Sequence, residues 1–101
     1  MWLFVLFDLP TETKKDRFIA SRFRTNLKKD GFSMFQFSVY IRHCGSKENA
    51  DAHRVRVKKL LPASGQICLF NLTDKQFGDI EIFFGKKRKT VESEFHQLEL
   101  F

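Results

Sequence analysis

Residues 2–11 read "WLFVLFDLPT", and this stretch decides the fold. Six apolar residues follow one another from Trp2 to Phe7 before Asp8 and Pro10 end the run. A strand with one face in water alternates apolar and polar residues, whereas a strand covered on both faces is apolar throughout. The stretch therefore predicts a central β-strand that is buried on both sides and carries a lone carboxylate at its end.

The size and composition of the chain predict a small domain that associates with a partner. The 101 residues suffice for one domain, and a core of that size gives marginal stability. Thirteen Phe, one Trp and one Tyr form an aromatic content that a single small domain does not readily bury alone. We therefore expect association with another subunit.

The charge of the chain favours a polyanionic partner. Eighteen Lys and Arg against twelve Asp and Glu give a formal net charge of +6, which is typical of nucleic-acid binding; alternatively, the cations only keep an apolar surface soluble. Cys44 and Cys68 lack metal-type spacing, which indicates reduced thiols without a zinc site. The opening apolar run is too short for a membrane span and has no signal-peptide ends. We expect a cytoplasmic protein with no membrane partner.

A helix follows the first strand from about Thr11. Ile19, Phe23 and Leu27 recur every four residues, Thr13 resembles the N-cap of a capping box, and Gly31 ends the helix. At about 100° per residue, one narrow sector of the opposite face collects cations. This basic stripe consists of Lys14, Arg17, Arg24 and Lys28. It either lies along phosphates, which it would contact without reading sequence, or is an ordinary solvated helix face.

The remaining elements complete an alternating order. Residues 32–42, "FSMFQFSVYIR", alternate as a strand or a broken pair of strands, and a second helix with its N-cap at Ser46 runs to Pro62. Apolar strands follow in "QICLFNL" and "DIEIFF". This order predicts an α+β, ferredoxin-like βαββαβ sandwich over residues 1–85. Both helices would cover one face of the sheet, and another protomer would cover the other face.

The end of the chain is predicted to be a separate tail. Residues 86–101 begin with the basic run "KKRK" and then become more apolar than a free terminus needs to be. We expect an extra C-terminal strand here that docks on the other subunit or on a partner protein. Its apolar residues are Phe95, Leu98, Leu100 and Phe101.

An ordered set of motifs resembles one known family. The motifs are "VLFDLPT" at 5–11, "FR" at 23–24, "GFSMFQFSVYIR" at 31–42, "LP" at 61–62, "SG" at 64–65 and "LTDKQF" at 72–77. Together they are similar to CRISPR-associated protein two, the smaller of the two common CRISPR adaptation proteins. Trp2, "RHC" at 42–44 and the ending "QLELF" at 97–101 look most like members that accompany a single large effector nuclease. The resemblance implies a homodimer through the sheet face, in which two copies of Asp8 meet across the dyad and share Mg²⁺, or alternatively Mn²⁺.

The resemblance also implies two activities. One is a metal-dependent endonuclease that acts on RNA or double-stranded DNA, with Asp8 as catalytic residue and metal ligand. The other is a scaffold for spacer acquisition, in which the dimer binds the CRISPR integrase, adaptation protein one, and holds the protospacer duplex. From the residues alone, Asp8 could equally cap the turn before the helix. One carboxylate per subunit makes a sparse site, which predicts weak metal binding and slow activity.

Other polar residues could assist a site at Asp8, and two other functions stay open. Ser38 and Gln36 lie on the strand expected beside the first, where they could orient water around a metal. His53 lies on the apolar face of its helix, which predicts a buried, hydrogen-bonded side chain. Two alternatives stay open: a single-strand RNA-binding module of the RNA-recognition type, whose aromatic motif residues 29–40 faintly resemble, and a dimeric regulatory or toxin-like domain without nuclease activity.

Overall fold

The computed structural model describes residues 1–90, which form six strands and three helices. The first half contains β1 (Trp2–Asp8), α1 (Lys14–Lys29), β2 (Ser33–Gln36) and β3 (Val39–His43). The second half contains α2 (Lys47–Lys59), β4 (Gln66–Leu72), α3 (Asp74–Gly78), β5 (Glu81–Phe84) and β6 (Lys87–Thr90).

The main sheet has the strand order β2-β3-β1-β4, and all neighbouring strands are antiparallel. β1 is central, as its unbroken apolar sequence predicts, and it pairs with β3 on one side and β4 on the other. Five of its seven residues are buried, namely Trp2 to Val5 and Phe7. This order, with α1 and α2 as the crossing helices, is consistent with the predicted ferredoxin-like α+β fold.

The helix-covered face of the sheet holds the larger core. Leu3, Val5 and Phe7 project from β1 toward this face and pack among Phe23 and Leu27 of α1 and other buried residues. The predicted start of α1 is confirmed, because Thr13 and Asp16 form a reciprocal capping box. Its predicted end is confirmed as well, since Gly31 follows the helix with a φ of 87°.

A hydrogen-bonded cluster joins the two long helices. Asp30, the C-cap of α1, accepts a hydrogen bond from His53 Nδ1 at 2.8 Å and from Arg56 Nη1 at 2.9 Å. His53 is 6% exposed. The prediction of a buried, hydrogen-bonded histidine on α2 is therefore confirmed.

The opposite face carries neither of the two long helices, α1 and α2, and is called the helix-free face for that reason. It is covered in part by the chain itself, which corrects the expectation that only another protomer covers it. Trp2, Phe4 and Ile41 form a second core cluster with Phe77 of α3, and Ile82 of β5 packs against it. The rings of Trp2 and Phe77 stack with their centroids 3.8 Å apart. The sequence interpretation missed α3 because its five residues are too few to show a helical period, although Thr73 and Gln76 form a capping box.

The end of the described chain is a hairpin of β5 and β6 in a separate two-stranded sheet. The predicted boundary between residues 85 and 86 falls in its turn, where Gly85 has a φ of 65°, and most of the basic run lies in β6. The predicted docking residues lie outside the described residues and stay a prediction. No helix within residues 1–90 combines the length and apolar content needed to cross a membrane.

Candidate functional site

Asp8 lies at the point where β1 emerges from the core. It is exposed, whereas Phe7 before it is 6% exposed. In the β1–β4 register Asp8 is opposite Gln66. Because side chains alternate along a strand, Asp8 projects to the same face as Leu6 and Phe4, which is the helix-free face. Pro10 then ends the extended run two residues later.

A shallow cavity of about 330 Å³ surrounds this carboxylate. Its polar side chains are Asp8, Ser38 and Gln66, which bring a carboxylate, a hydroxyl and an amide to one place. Leu6 and Val39 are among the apolar residues that line it. The helix-free face thus has an uncovered polar end, opposite the end that Phe77 covers.

A tight turn brings Ser38 to this cavity. Residues 32–42 are a broken pair of strands, β2 and β3, and Phe37 and Ser38 connect them. Ser38 has a φ of 65°, which is uncommon for a residue other than glycine. Its carbonyl oxygen accepts a hydrogen bond of 3.0 Å from the Phe7 amide. This bond fastens the turn to the last part of β1, next to Asp8. Gln36, which was predicted together with Ser38, is exposed on β2 and does not line the cavity.

Gly65 sets the backbone on the other side of Asp8. It has a φ of 97° and immediately precedes β4. A Cβ atom there would lie 2.9 Å from the Asp8 carbonyl oxygen and 3.2 Å from the Leu9 Cα. Only glycine therefore allows β4 to begin this close to the end of β1.

A single chain provides oxygen atoms for a metal but not a complete protein site. Within residues 1–90 no group of three or more His, Cys, Asp or Glu side chains is placed to hold a metal ion. Asp8 is the one carboxylate lining the described cavity. Carboxylate, hydroxyl and amide oxygens suit a hard cation such as Mg²⁺, which keeps several of its waters. These residues fit such an ion only if water or a second chain supplies further ligands.

The structure divides the predicted basic stripe on α1 into two arginines that contact other residues and two exposed lysines. Arg24 lies over two aromatic rings, with Cζ 5.7 Å from the Phe7 centroid and 5.1 Å from the Phe37 centroid. It therefore stands beside the turn that carries Ser38. Arg17 donates to the carbonyl oxygens of residues 11 and 12, at 3.1 Å each. Lys14 and Lys28 are exposed.

Gln66, Phe37 and Gly65 belong to the site but were not predicted for it. Gln66 is the first residue of β4, so its position opposite Asp8 follows from the antiparallel register, which a sequence alone does not fix. Phe37 was placed on a strand, whereas it lies in the turn and is 78% exposed. The "SG" motif at residues 64–65 was noted only as part of the family resemblance, although glycine before an apolar strand is a usable sign of a close approach.

Comparison with known proteins identifies the family. The family model described as "CRISPR associated protein Cas2" matches residues 1–80. The chain belongs to the Cas2 family. This confirms the resemblance found in the sequence motifs and decides against the RNA-recognition alternative. Both the Asp8 cavity and the whole antiparallel sheet lie within the part of the chain that matches the Cas2 model.

Several curated proteins are similar to this Cas2 chain over its full length. A protein of Flavobacterium psychrophilum is 55% identical over 101 residues, which are all of this chain and 88% of the relative. A protein of Parvibaculum lavamentivorans is 48% identical over all of both chains, and one of Paracidovorax avenae is 42% identical over all of this chain and 94% of the relative. Each relative is named "CRISPR-associated endoribonuclease Cas2", a name that indicates a hydrolase of phosphodiester bonds.

Proposed function

We propose that this Cas2 chain is a cytoplasmic, metal-dependent endonuclease subunit of CRISPR adaptation, with Asp8 as its catalytic carboxylate and RNA as its first substrate. The observation that supports this most is the position of Asp8. It is an exposed acid that ends a buried strand, beside Ser38 and Gln66, on the incompletely covered face of the sheet. The names of the relatives support RNA as the substrate.

A homodimer through the helix-free face would complete the site. Phe37 in the cavity lining is 78% exposed, and Phe70, opposite Phe4 on this face, is 38% exposed. Exposed apolar patches favour association. A two-fold axis near the cavity would bring two copies of Asp8 together. Two carboxylates facing each other would hold a divalent cation better than one exposed carboxylate does.

The residues of the cavity have distinct roles in this proposal. When bound, Mg²⁺ or Mn²⁺ would neutralise charge on the phosphodiester and lower the pKa of an attacking water. Asp8 would hold the ion through its carboxylate oxygens. The Ser38 hydroxyl and the Gln66 amide would hydrogen-bond water or the phosphate. Arg24, held by the Phe7 and Phe37 rings, would place positive charge near β1, the strand that carries Asp8.

Replacement of the carboxylate tests this assignment. We expect Asp8→Asn to lower metal-dependent cleavage of RNA by about 100-fold or more, because the uncharged amide holds a divalent cation poorly. Cleavage is measured with Mg²⁺, with Mn²⁺ and with chelator, on RNA and on double-stranded DNA. Asp51→Asn is the matched control. Asp51 is an exposed carboxylate on α2, which lies on the other face of the sheet from the cavity. Wild-type cleavage by Asp8→Asn would refute the role of Asp8.

The scaffold role is proposed together with the nuclease role. The Cas2 dimer would bind the CRISPR integrase, and the basic stripe of Lys14, Arg17, Arg24 and Lys28 would hold the protospacer duplex through its phosphates. Co-purification with the integrase tests the partner, and a duplex affinity that hardly changes between low and high salt would refute the phosphate contacts.

Deletion of residues 92–101 tests the docking role of Phe95, Leu98, Leu100 and Phe101. The docking role is refuted if the complex is equally tight without these residues.

A further inference from the structure

A groove runs along α1 on the helical layer, on the side of the sheet opposite Asp8. Two adjoining cavities, of about 260 Å³ and 380 Å³, share Asn26 and Lys29 and together form this groove. One end lies at Phe18 and Arg22 of α1, and the other lies at Lys59, in the last turn of α2. Because α1 and α2 lie on the helix-covered face of β1, the sheet separates this α1–α2 groove from the cavity around Asp8.

The cations of the groove are not neutralised by the chain. Arg22, Lys29 and Lys59 are exposed, and none of the three makes a hydrogen bond or ion pair with another residue in the part of the chain that the structure describes. Asp30 is the carboxylate that lines the groove. Its two oxygens are already held by His53 and Arg56. The groove therefore presents uncompensated positive charge.

Helix stability explains only part of this arrangement. Lys29 and Lys59 lie in the last turns of their helices, where a cation interacts favourably with the helix dipole. Arg22 lies two turns earlier, where that benefit is absent. Moreover, Phe18 places its ring in the same groove and is 63% exposed. Because most of the ring is in water, its burial contributes little to the stability of the fold.

The spacing of these residues fits a strand of nucleotides. At about 100° per residue, Phe18, Arg22 and Lys29 lie within about 40° of one another around α1. At a rise of 1.5 Å per residue, they extend over about 16 Å along the helix axis. A line of cations with an aromatic ring at its end is the arrangement that binds single strands, since phosphates meet the cations and a base stacks on the ring.

We propose that the α1–α2 groove binds single-stranded nucleic acid, with phosphates on Arg22, Lys29 and Lys59 and one base on Phe18. The proposal rests on the proposed nuclease function in one respect: the strand held here is of the class that the Asp8 site would cleave. It adds a binding surface that is separate from the cavity around Asp8 and from the basic stripe. A base can stack on Phe18 only when it is unpaired, so the groove selects single strands over duplexes.

Fluorescence anisotropy with labelled twelve-nucleotide RNA, the same DNA strand and the corresponding DNA duplex tests the groove. All titrations contain chelator, so that binding is measured without metal-dependent cleavage. The groove variant is Arg22→Gln/Lys29→Gln/Lys59→Gln. Its control is Lys47→Gln/Lys86→Gln/Lys87→Gln, which removes the same charge from exposed positions elsewhere. Phe18→Ala tests the stacking separately.

We expect the groove variant to bind single strands at least about 10-fold more weakly than the control variant. Its plot of log affinity against log salt should lose about two units of slope, because each phosphate contact on a single strand contributes about 0.7. Phe18→Ala should weaken single-strand binding about fivefold or more and leave duplex binding unchanged. If the triple variant unfolds, Arg22→Gln alone should weaken binding about threefold.

Three outcomes would overturn the proposal. The first is equal single-strand affinity of the groove and control variants. The second is duplex binding that the groove variant loses to the same degree, because this result would assign the cations to general phosphate contacts. The third is tighter binding of polyglutamate than of a single strand of equal charge, which would indicate an acidic protein segment as the occupant. Equal affinity for RNA and DNA supports phosphate and base contacts, and tighter RNA binding supports the same groove with an added 2′-hydroxyl contact.

Discussion

The two faces of the central strand differ in how completely the chain covers them. On the helix-covered face, α1 and α2 bury Leu3, Val5 and Phe7 under a continuous core. On the helix-free face, α3 and β5 cover only the Trp2 end, and the Asp8 end stays open beside Gln66 and Cys68. The first face contributes stability. The second face leaves part of its apolar surface uncovered. A small domain can place a functional site and an interface on such a surface.

Each face contains one cysteine, so thiol reactivity compares the faces directly. Cys44 is 1% exposed in the helix-side core, whereas Cys68 is exposed on the helix-free face. Burial raises the pKa of the Cys44 thiol, which disfavours the reactive thiolate further. We expect iodoacetamide to label Cys68 at least about 1000-fold faster, because labelling of Cys44 requires opening of the core. Mass spectrometry of peptides from briefly labelled native protein measures the two rates.

The same measurement sharpens the dimer hypothesis. If a second copy covers the helix-free face, labelling of Cys68 slows as protein concentration rises through the dimer range, while Cys44 stays equally slow. Cys68→Ser provides the control with a single buried thiol. Equal labelling of both cysteines in native protein would contradict the difference between the faces.

Core truncation should separate the faces by folding energy. Leu27 is fully buried under the helix-covered face, and Phe70 is 38% exposed and stacks on Phe4 with centroids 4.9 Å apart. We expect Leu27→Ala to lower the free energy of unfolding by about 3 kcal/mol. Phe70→Ala should lower it by only about 1 kcal/mol in dilute protein, because part of the ring is already in water. Urea unfolding at several protein concentrations gives both values.

Concentration dependence distinguishes a folding role from an interface role in this pair. Leu27→Ala should shift the urea midpoint equally at every protein concentration. Phe70→Ala should shift it more at high concentration, where the wild type gains stability from association. A loss for Phe70→Ala as large as that for Leu27→Ala in dilute protein would show that the helix-free face is part of the monomer core.

The sequence predicts the helix-covered face better than the helix-free face, for a physical reason. α1 and α2 are long enough to repeat their apolar residues several times, and their N-caps at Thr13 and Ser46 were found by residue type. α3 has five residues and no period. Asp8 was found because an acid after an apolar run is conspicuous, whereas Gln66 reaches it only through strand register. Local chemistry is readable in a sequence, but pairing across strands is not.

A glycine with positive φ should contribute more to stability and cleavage beside Asp8 than in a turn elsewhere in the chain. Gly65 and Gly85 both have positive φ, at 97° and 65°, but only Gly65 lies against backbone atoms, those of Asp8 and Leu9. Alanine costs about 1 kcal/mol of backbone strain at either position. Gly65→Ala should cost about 1 kcal/mol more and should also lower metal-dependent cleavage, because the added Cβ displaces the end of β1. Thermal unfolding and cleavage rates are compared for the two variants.

The metal dependence of this pair separates positioning from simple destabilisation. Gly65→Ala should require more Mg²⁺ for half-maximal cleavage, whereas Gly85→Ala should lose about 1 kcal/mol of stability without a change in the Mg²⁺ requirement. Equal Mg²⁺ requirements for Gly65→Ala and the wild type would show that Gly65 shapes the fold without orienting Asp8.

The smallest expected effect concerns the short helix that covers the Trp2 end of the helix-free face. The N-terminal ammonium donates a hydrogen bond to Asp74 of α3 and, with nearby His43, lowers the pKa of that carboxyl below its ordinary value of 3.8. A pKa lowered in the folded state means that this contact stabilises the fold above pH 3.8 and is lost as the pH falls through the folded pKa. Asp74 is largely exposed, so Asp74→Asn should cost less than about 1 kcal/mol at pH 7, and its Tm difference from the wild type should shrink below pH 3.8. A difference that is constant with pH would mean that α3 is held by the stacking of Phe77 on Trp2 and owes nothing to this ion pair.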